Sequence, residues 1–265
     1  SSATDRPLDR VVHPMHGAIA LIADIHGNCW ALEAVLKDLD RRGIRDIANL
    51  GDSLYGPLDP DGTADLIMAR SLASVRGNQD RLLLQSSPDG ETAPSWAFTR
   101  SRLTQRHLDW LGTLPPTAVV AGVCFCCHGT PQQDDAYLLD RVGRDGRVRP
   151  ISRRLLERQL QGLPFEMIAC GHSHTPRRVS LSGGRQVVNP GSVGLPAYRD
   201  EEPYPHVMAA GTPHARYAIL CHRAPGWEVE FVTVPYDWAA AARTAAANHR
   251  PDWAHWLTTG CAQPV

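Results

Sequence analysis

From Ala18 onward, short apolar runs alternate with amphipathic helical segments, and this order predicts an α/β fold whose first half is a parallel sheet. Two further observations support that class. Each apolar run stops at Asp, Asn or His, as strands do where an open α/β sheet builds its site. In the last third the helices give way to closely spaced β-branched and aromatic runs, which adds hairpins to the architecture.

"AIALIAD" reads as a strand ending at Asp24. In "NCWALEAVLKDLDRRG", Leu32, Val35, Leu36 and Leu39 recur at helical spacing, and Gly43 supplies the stop. "DIANLGD" is a second strand ending at Asp52, "PDGTADLIMARS" a helix, and "SLASVRGN" a third strand ending at Asn78. A Pro/Gly loop is expected over 88–95 and one helix over "TRSRLTQRHLDWLGTL". "TAVVAGVCFCCHG" reads as strand, turn and strand, "ISRRLLERQLQGL" as a helix, and "FEMIACGHSH" as a strand. "RRVSLSGGRQVVNPG" reads as a hairpin turning at Gly183-Gly184. "ARYAILCH" and "GWEVEFVTVPYD" add two strands. In the second, Trp227, Val229 and Phe231 alternate with Glu228 and Glu230 as on a half-buried strand, until Val232 and Val234 break the phase. "WAAAARTAAANH" closes the fold as a helix, and residues 238–265, with Trp253 and Trp256, either cover it or meet another subunit. No linker or repeat is visible, so 18–265 is expected to be one domain, with 1–17 a flexible lead-in.

Composition excludes several classes of protein. Over 265 residues, 43% hydrophobic and 21% charged content is that of an ordinary globular chain rather than a disordered one. A net charge of −1 offers no basic face for nucleic acid or an anionic membrane. No apolar stretch nears the ~20 residues of a membrane span. Seven cysteines, an odd number with three crowded into "CFCCHG", read as small buried hydrophobes in a reducing cytoplasm. Alternation puts Cys124 and Cys126 on one strand face and Cys127 on the other.

The chemistry lies in the polar residues at the strand ends. "DIHGN" carries Asp24 and His26, "NLGD" Asp52, "RGNQD" Asn78, "CCHG" His128, and "GHSH" His172 and His174. Alone, any of these histidines is better read as structural, and either Asp as a helix cap. Together they are two carboxylates, one amide oxygen and four imidazoles at five strand ends. Mixed nitrogen and oxygen donors suit Mn²⁺, Fe²⁺, Co²⁺, Ni²⁺ or Zn²⁺, and the donors suffice for two ions with positions left for water and substrate. Period-2 geometry would put Asp24 and His26, and likewise His172 and His174, on one side of a strand end.

This set of motifs resembles the calcineurin-like metallophosphoesterase superfamily, whose pattern runs D-x-H, G-D, G-N-H-[DE], H and G-H-x-H. The resemblance extends from Ala18 to about Asp237. "DIHGN", "GDSLYGP" and "NPGS" are closest to its compact bacterial and archaeal branch. It implies a four-layer αββα sandwich with the site at one edge. It further implies a first metal on Asp24, His26 and His174, a second on Asn78, His128 and His172, and Asp52 between them. The implied cofactors are two divalent ions, Mn first among them, and the implied reaction is hydrolysis of a phosphoester by an activated hydroxide. Catalytic roles then fall to Asp52, Asn78, His128 and the residue after Asn78.

That residue departs from the family pattern. Gln79 stands where the family often has His, and it can donate a hydrogen bond but not deliver a proton near neutral pH. Substrates with good leaving groups are therefore expected: aryl esters, nucleotide phosphodiesters or phosphoanhydrides. Tyr55, Arg81, Arg100, Tyr198, Arg199, His206 and His214 are candidate substrate contacts, the last two also as replacements for the missing acid. The expected partner is a small phosphorylated molecule, a nucleotide among the candidates; no membrane is expected, and nucleic acid stays open as a large substrate without a basic patch to recommend it. A protein phosphatase or diadenosine tetraphosphate hydrolase is disfavoured because "GDSLYGP" lacks the arginine of "GDxVDRG". A metal-binding scaffold of the same fold, as in retromer, is the remaining alternative.

Overall fold

In a computed structural model, residues 17–87, 93–223 and 226–262 are described. The lead-in expected over 1–17 lies outside them except for Gly17, as does most of the loop expected over 88–95.

Two five-stranded sheets pack face to face. The first has the order β14 (Gly226–Val234), β13 (Ala215–Arg223), β1 (Ala18–Ile22), β2 (Asp46–Asn49) and β3 (Ala73–Ser74). β1, β2 and β3 run parallel, as expected from the strand–helix alternation, and β13 adds antiparallel to β1. The second sheet has the order β4 (Thr117–Val120), β5 (Cys124–Cys127), β8 (Met167–Ala169), β10 (Gln186–Asn189) and β9 (Arg177–Ser180).

Burial explains why "AIALI" does not alternate. Ala18, Ala20 and Ile22 face a core beneath α1 (Cys29–Arg42), α2 (Pro60–Arg70) and α5 (Gln105–Thr113), while Ile19 and Leu21 face the second sheet. Both faces of β1 are dry, as in strands covered by helices on one side and a sheet on the other. On β5, Cys124 and Cys126 face the inter-sheet core, and Phe125 and Cys127 face the outer one under α6 (Arg153–Gln159). The layers are thus helix, sheet, sheet, helix. On β14 both phases are used: Trp227 and Val229 face the second sheet, Val232 and Val234 face the helices, and Phe231 is exposed.

Several elements differ from the sequence reading. The single helix expected over 99–114 is two, α4 (Ala93–Arg102) and α5, because Thr104 breaks the run and caps α5 through its Oγ1. A short helix, α3 (Asn78–Leu83), follows β3 directly, where no helical period was visible in six residues. Two hairpins had no expected counterpart: β11 (Ala197–Asp200) with β12 (His206–Ala209), and β6 (Asp140–Val142) with β7 (Val148–Pro150). The C-terminal stretch holds two helices, α7 (Trp238–Ala247) and α8 (Pro251–Thr259). Ala241, Ala245, Trp253, Trp256 and Leu257 pack on Leu58 and Leu195, so these residues cover the end of the fold.

Candidate metal centre

The loops after β1, β2, β3, β5 and β8 converge at one edge of the two sheets, and hydrogen bonds between them hold the site together. Asp24 N donates to Gly51 O at 3.0 Å, His26 N to Asp52 O at 3.0 Å, and Gly171 N to His128 O at 2.7 Å. "NPGS" ties the remaining loops: Asn189 Nδ2 donates to Gly171 O at 2.7 Å, and Ser192 Oγ to Asp24 O at 2.8 Å.

Asp24, His26, Asp52, His172 and His174 all have φ between 53° and 69°. They are therefore not at successive positions of an extended strand end, as period-2 reasoning had it; left-handed turns aim them inward. Non-glycine residues rarely adopt that conformation, and clusters of such strain mark functional sites. Gly77 meets a different demand, close approach. A Cβ there would lie 2.1 Å from Asp52 Oδ1.

Two groups of side chains result, each able to hold a divalent ion: Asp24, His26 and His174, and Asp52, His128 and His172. All six are buried. They share one floor, with His128 Nε2 3.3 Å from Asp52 Oδ2 and 3.9 Å from Asp24 Oδ1. Asn78 Oδ1 lies 3.1 Å from His128 Nε2, and Asn78 and Gln79 at the start of α3 are half-buried. Three imidazoles turn Nδ1 to a backbone carbonyl: His26 to Tyr55 at 3.0 Å, His128 to Leu50 at 2.7 Å and His174 to Leu195 at 2.7 Å. This leaves Nε2 facing inward as a donor atom for a metal.

The electrostatics suit cations. Burial, helped by neighbouring imidazoles, pushes His26 and His172 down to about 4, so both are neutral and able to coordinate. Burial opposes charge on His128 too, but the Asp52 carboxylate outweighs it and raises His128 to about 10. Burial likewise works against ionised Asp24, yet the facing His174 and His128 hold it below its ordinary value. Asp24 Oδ2 is buried without a hydrogen-bond partner. An ionised, fully buried carboxylate oxygen with nothing to accept from is costly unless a cation meets it. Donor set and orphaned oxygen fit divalent metals.

Gln79 enters α3 beside this floor. Its backbone N–H donates to Asp52 Oδ1 at 2.9 Å, and its side-chain oxygen is buried without a partner. The candidate substrate residues divide. Tyr55 is buried in the core under the helices, with its hydroxyl directed to Ser95, so it is unsuited to touch substrate. Arg81 is held by Asp134 through bonds of 2.8 Å and 2.8 Å, and Arg100 lies over the Trp96 ring. His214 leans on Trp238 with Nδ1 3.2 Å from Thr212 Oγ1, and Arg199 is exposed on β11. Tyr198 does reach the site: its Oη donates to His172 O at 3.0 Å, and its ring lies 4.5 Å from that of His174. His206 is no surface residue; it is 3% exposed and meets Tyr137 Oη at 2.8 Å.

Three contributors escaped the sequence reading. Tyr137 packs its ring 4.8 Å from His172, and a tyrosine in an irregular loop carries no pattern. Trp253 stands edge-on to His26 at 5.8 Å. Asp80 accepts from Gly77 N at 3.0 Å and Ser53 N at 2.9 Å, joining two loops, and burial with the nearby Asp52 charge lifts it to about 7. The acidic position of G-N-H-[DE] was the signal for it.

A sequence profile of the calcineurin-like phosphoesterase superfamily domain matches residues 18–211. An uncharacterized protein of Methanocaldococcus jannaschii is 28% identical over 264 residues, which cover 89% of this chain and 94% of that one. Among solved structures, a metallophosphoesterase from Sphaerobacter thermophilus superposes with a TM-score of 0.70 at 25% identity, covering 92% of this chain and 100% of the other. A hypothetical protein from Pyrococcus horikoshii OT3 gives 0.70 at 20% identity, covering 93% and 99%, and attests the fold. With the profile spanning most of its length and the motif residues gathered at one edge, the chain belongs to the calcineurin-like phosphoesterase superfamily.

Proposed function

We propose that the protein is a dinuclear metal phosphoesterase that prefers phosphodiesters of small molecules or nucleotides. The observation that carries this is the pair of three-donor groups on one floor, bridged by the contacts of His128 with Asp52 and Asp24. Asp24, His26 and His174 would hold one ion, His128, His172 and Asn78 the other, and Asp52 would serve both. When bound, the two ions supply an activated water and neutralise phosphoryl charge. Mn²⁺ is our choice of metal, and Fe, Ni, Co or Zn would satisfy the same donors.

The chain's own residues do the rest. Gln79 N–H and the lack of room at Gly77 fix the Asp52 carboxylate from two sides. Asn78 and Gln79, at the half-buried side, border the approach of substrate. Gln79 can hydrogen-bond a phosphoryl oxygen but cannot protonate a leaving group, and general acid catalysis is worth about 10²–10⁴-fold. Esters whose leaving group departs as an anion are therefore favoured. Tyr55 lies in the core, Arg81 and Arg100 are engaged elsewhere, and Tyr198 lies beside the metal-holding histidines with its hydroxyl already given to His172 O. All seven cysteines are free thiols, in keeping with a reducing cytoplasm. Among the described residues no helix is long and apolar enough to cross a membrane.

The test is hydrolysis of bis-p-nitrophenyl phosphate against p-nitrophenyl phosphate after metal removal and Mn²⁺ restoration, with Asp52→Asn as control. Mn²⁺-dependent turnover that prefers the diester and vanishes in the variant is expected. Faster monoester turnover would favour a phosphatase, and metal binding without turnover of either ester would point to a scaffold or to a very selective enzyme.

A further inference from the structure

Of the four imidazoles at the candidate metal centre, His172 is held differently. His26, His128 and His174 each have a ring nitrogen bonded to a backbone carbonyl. Among the described residues no such ring bond is found for His172. Its ring lies between two others, 5.1 Å from His128 and 4.8 Å from Tyr137. Its carbonyl accepts from Tyr198 Oη at 3.0 Å.

We propose that Tyr198, Tyr137 and His206 form a hydrogen-bonded brace that fixes the His172 backbone and packs against its ring, in place of the ring-to-carbonyl bonds that hold the other three. The inference rests on the reading of His172 as a metal-holding residue. Tyr198 has one hydroxyl proton, and His172 O receives it. Tyr137 Oη, 2.6 Å from Tyr198 Oη and 2.8 Å from His206 Nε2, links the two, and His206 is held in turn by Nδ1, which donates to Tyr204 O at 2.8 Å. His206 is almost fully buried and both tyrosines are half-buried, so each group leans on the next for its partner.

The three residues come from separate places: Tyr137 from the loop before β6, Tyr198 from β11 and His206 from β12. The hairpin β11–β12 thereby joins Asn189 in supporting the loop that carries His172 and His174. Both tyrosine rings also restrict those imidazoles, Tyr137 against His172 and Tyr198 against His174. His174 keeps its own bond to Leu195 O, so loss of the brace should fall on the ion held by His172. Tyr137, Tyr198 and His206 are positioning residues; their hydroxyls and imidazole act through His172 rather than on substrate.

Tyr198→Phe keeps the ring and removes the donor, and Tyr137→Phe removes the central link. In full-length protein freed of metal and titrated with Mn²⁺, calorimetry and electron paramagnetic resonance would read the affinity of each ion separately. The expected result for both variants is one ion bound as in wild type and the other weakened about 10–100-fold, the usual loss when a group supporting a metal ligand is removed. The magnetic coupling between the two ions should fade in step. Uptake of both ions as in wild type, or equal weakening of both, would overturn the proposal. If Tyr198→Phe fails to fold, Tyr137→Phe alone decides between the same results. Wild-type protein that binds two ions but cleaves no ester would refute the phosphoesterase reading while leaving this comparison of affinities intact. Wild-type protein that takes up no second ion would overturn both.

Discussion

Gly77→Ala isolates the close approach at the centre of the site. Gly77 has φ −83° and ψ 171°, a conformation that alanine adopts freely, so the substitution adds no backbone strain. All of its cost is steric. The new Cβ would lie 2.1 Å from Asp52 Oδ1 and 2.4 Å from Asp52 N, whereas real Cβ contacts do not fall below 3.0 Å. The carboxylate oxygen must therefore retreat by at least about 0.9 Å. Turning the side chain is not enough, because the Asp52 backbone is itself too close. The bond from Gln79 N to Asp52 Oδ1 is lost with the movement. Misplacement by 1 Å costs about 10²-fold in rate, and overpacking about 1–3 kcal/mol in stability. Initial rates on bis-p-nitrophenyl phosphate at saturating Mn²⁺ should fall by about that factor, while urea unfolding still shows a cooperative transition. Gly112→Ala is the matched control. It sits inside α5 with nothing within 4 Å of its Cβ, and it should stabilise by up to about 1 kcal/mol without touching the rate. A Gly77→Ala enzyme as active as wild type would refute the argument that Asp52 needs this packing.

Burial and charge set two further outcomes. Trp253→Ala empties the contact between α8 and the loops over His26 and should lower unfolding stability by about 3–5 kcal/mol; a change under about 1 kcal/mol in urea titration would mean that α8 is not part of the cooperative unit. Metal-free protein should be most stable near pH 6.5. Below that value the unfolded chain protonates His26 and His172 while the folded chain resists until about 4, so stability falls with falling pH; Asp80, raised to about 7, opposes this with one proton against two. Above it, His128 loses in the unfolded chain a proton that the folded chain keeps to about 10, so its stabilisation is lost as pH rises. Melting temperatures of chelator-treated protein from pH 4 to 9 would show the maximum, and a monotonic profile would sink the assignment.

Local patterns in the chain marked most of the strands and helices, and the family resemblance of the motifs implied the layers and the candidate metal-holding residues. Period-3.6 spacing marked α1, and Gly43, in the left-handed conformation, ends it as the stop signal required. Apolar runs of strand length marked β1, β2, β5 and β8, and the polar residues after them are those that gather at the edge of the sheets. Short-range patterns suffice there because strand and helix periods are local properties. Elements too short or too irregular to show a period stayed hidden: α3 with six residues, the break at Thr104, and the hairpin β11–β12.

How those residues are held, and which neighbours serve them, became visible only in the packed fold. Left-handed turns, rather than strand alternation, aim Asp24, His26, His172 and His174, because loops zipped to one another can hold a backbone conformation that local propensity disfavours. Arg81 and Tyr55 looked available in the sequence, and the fold gave each a partner far along the chain or a place in the core. Tyr137, His206 and Trp253 gained their places beside the histidines in the same way. Contacts between residues tens of positions apart leave no periodic trace, so the support of the site is a property of packing, while its donors are written in the motifs.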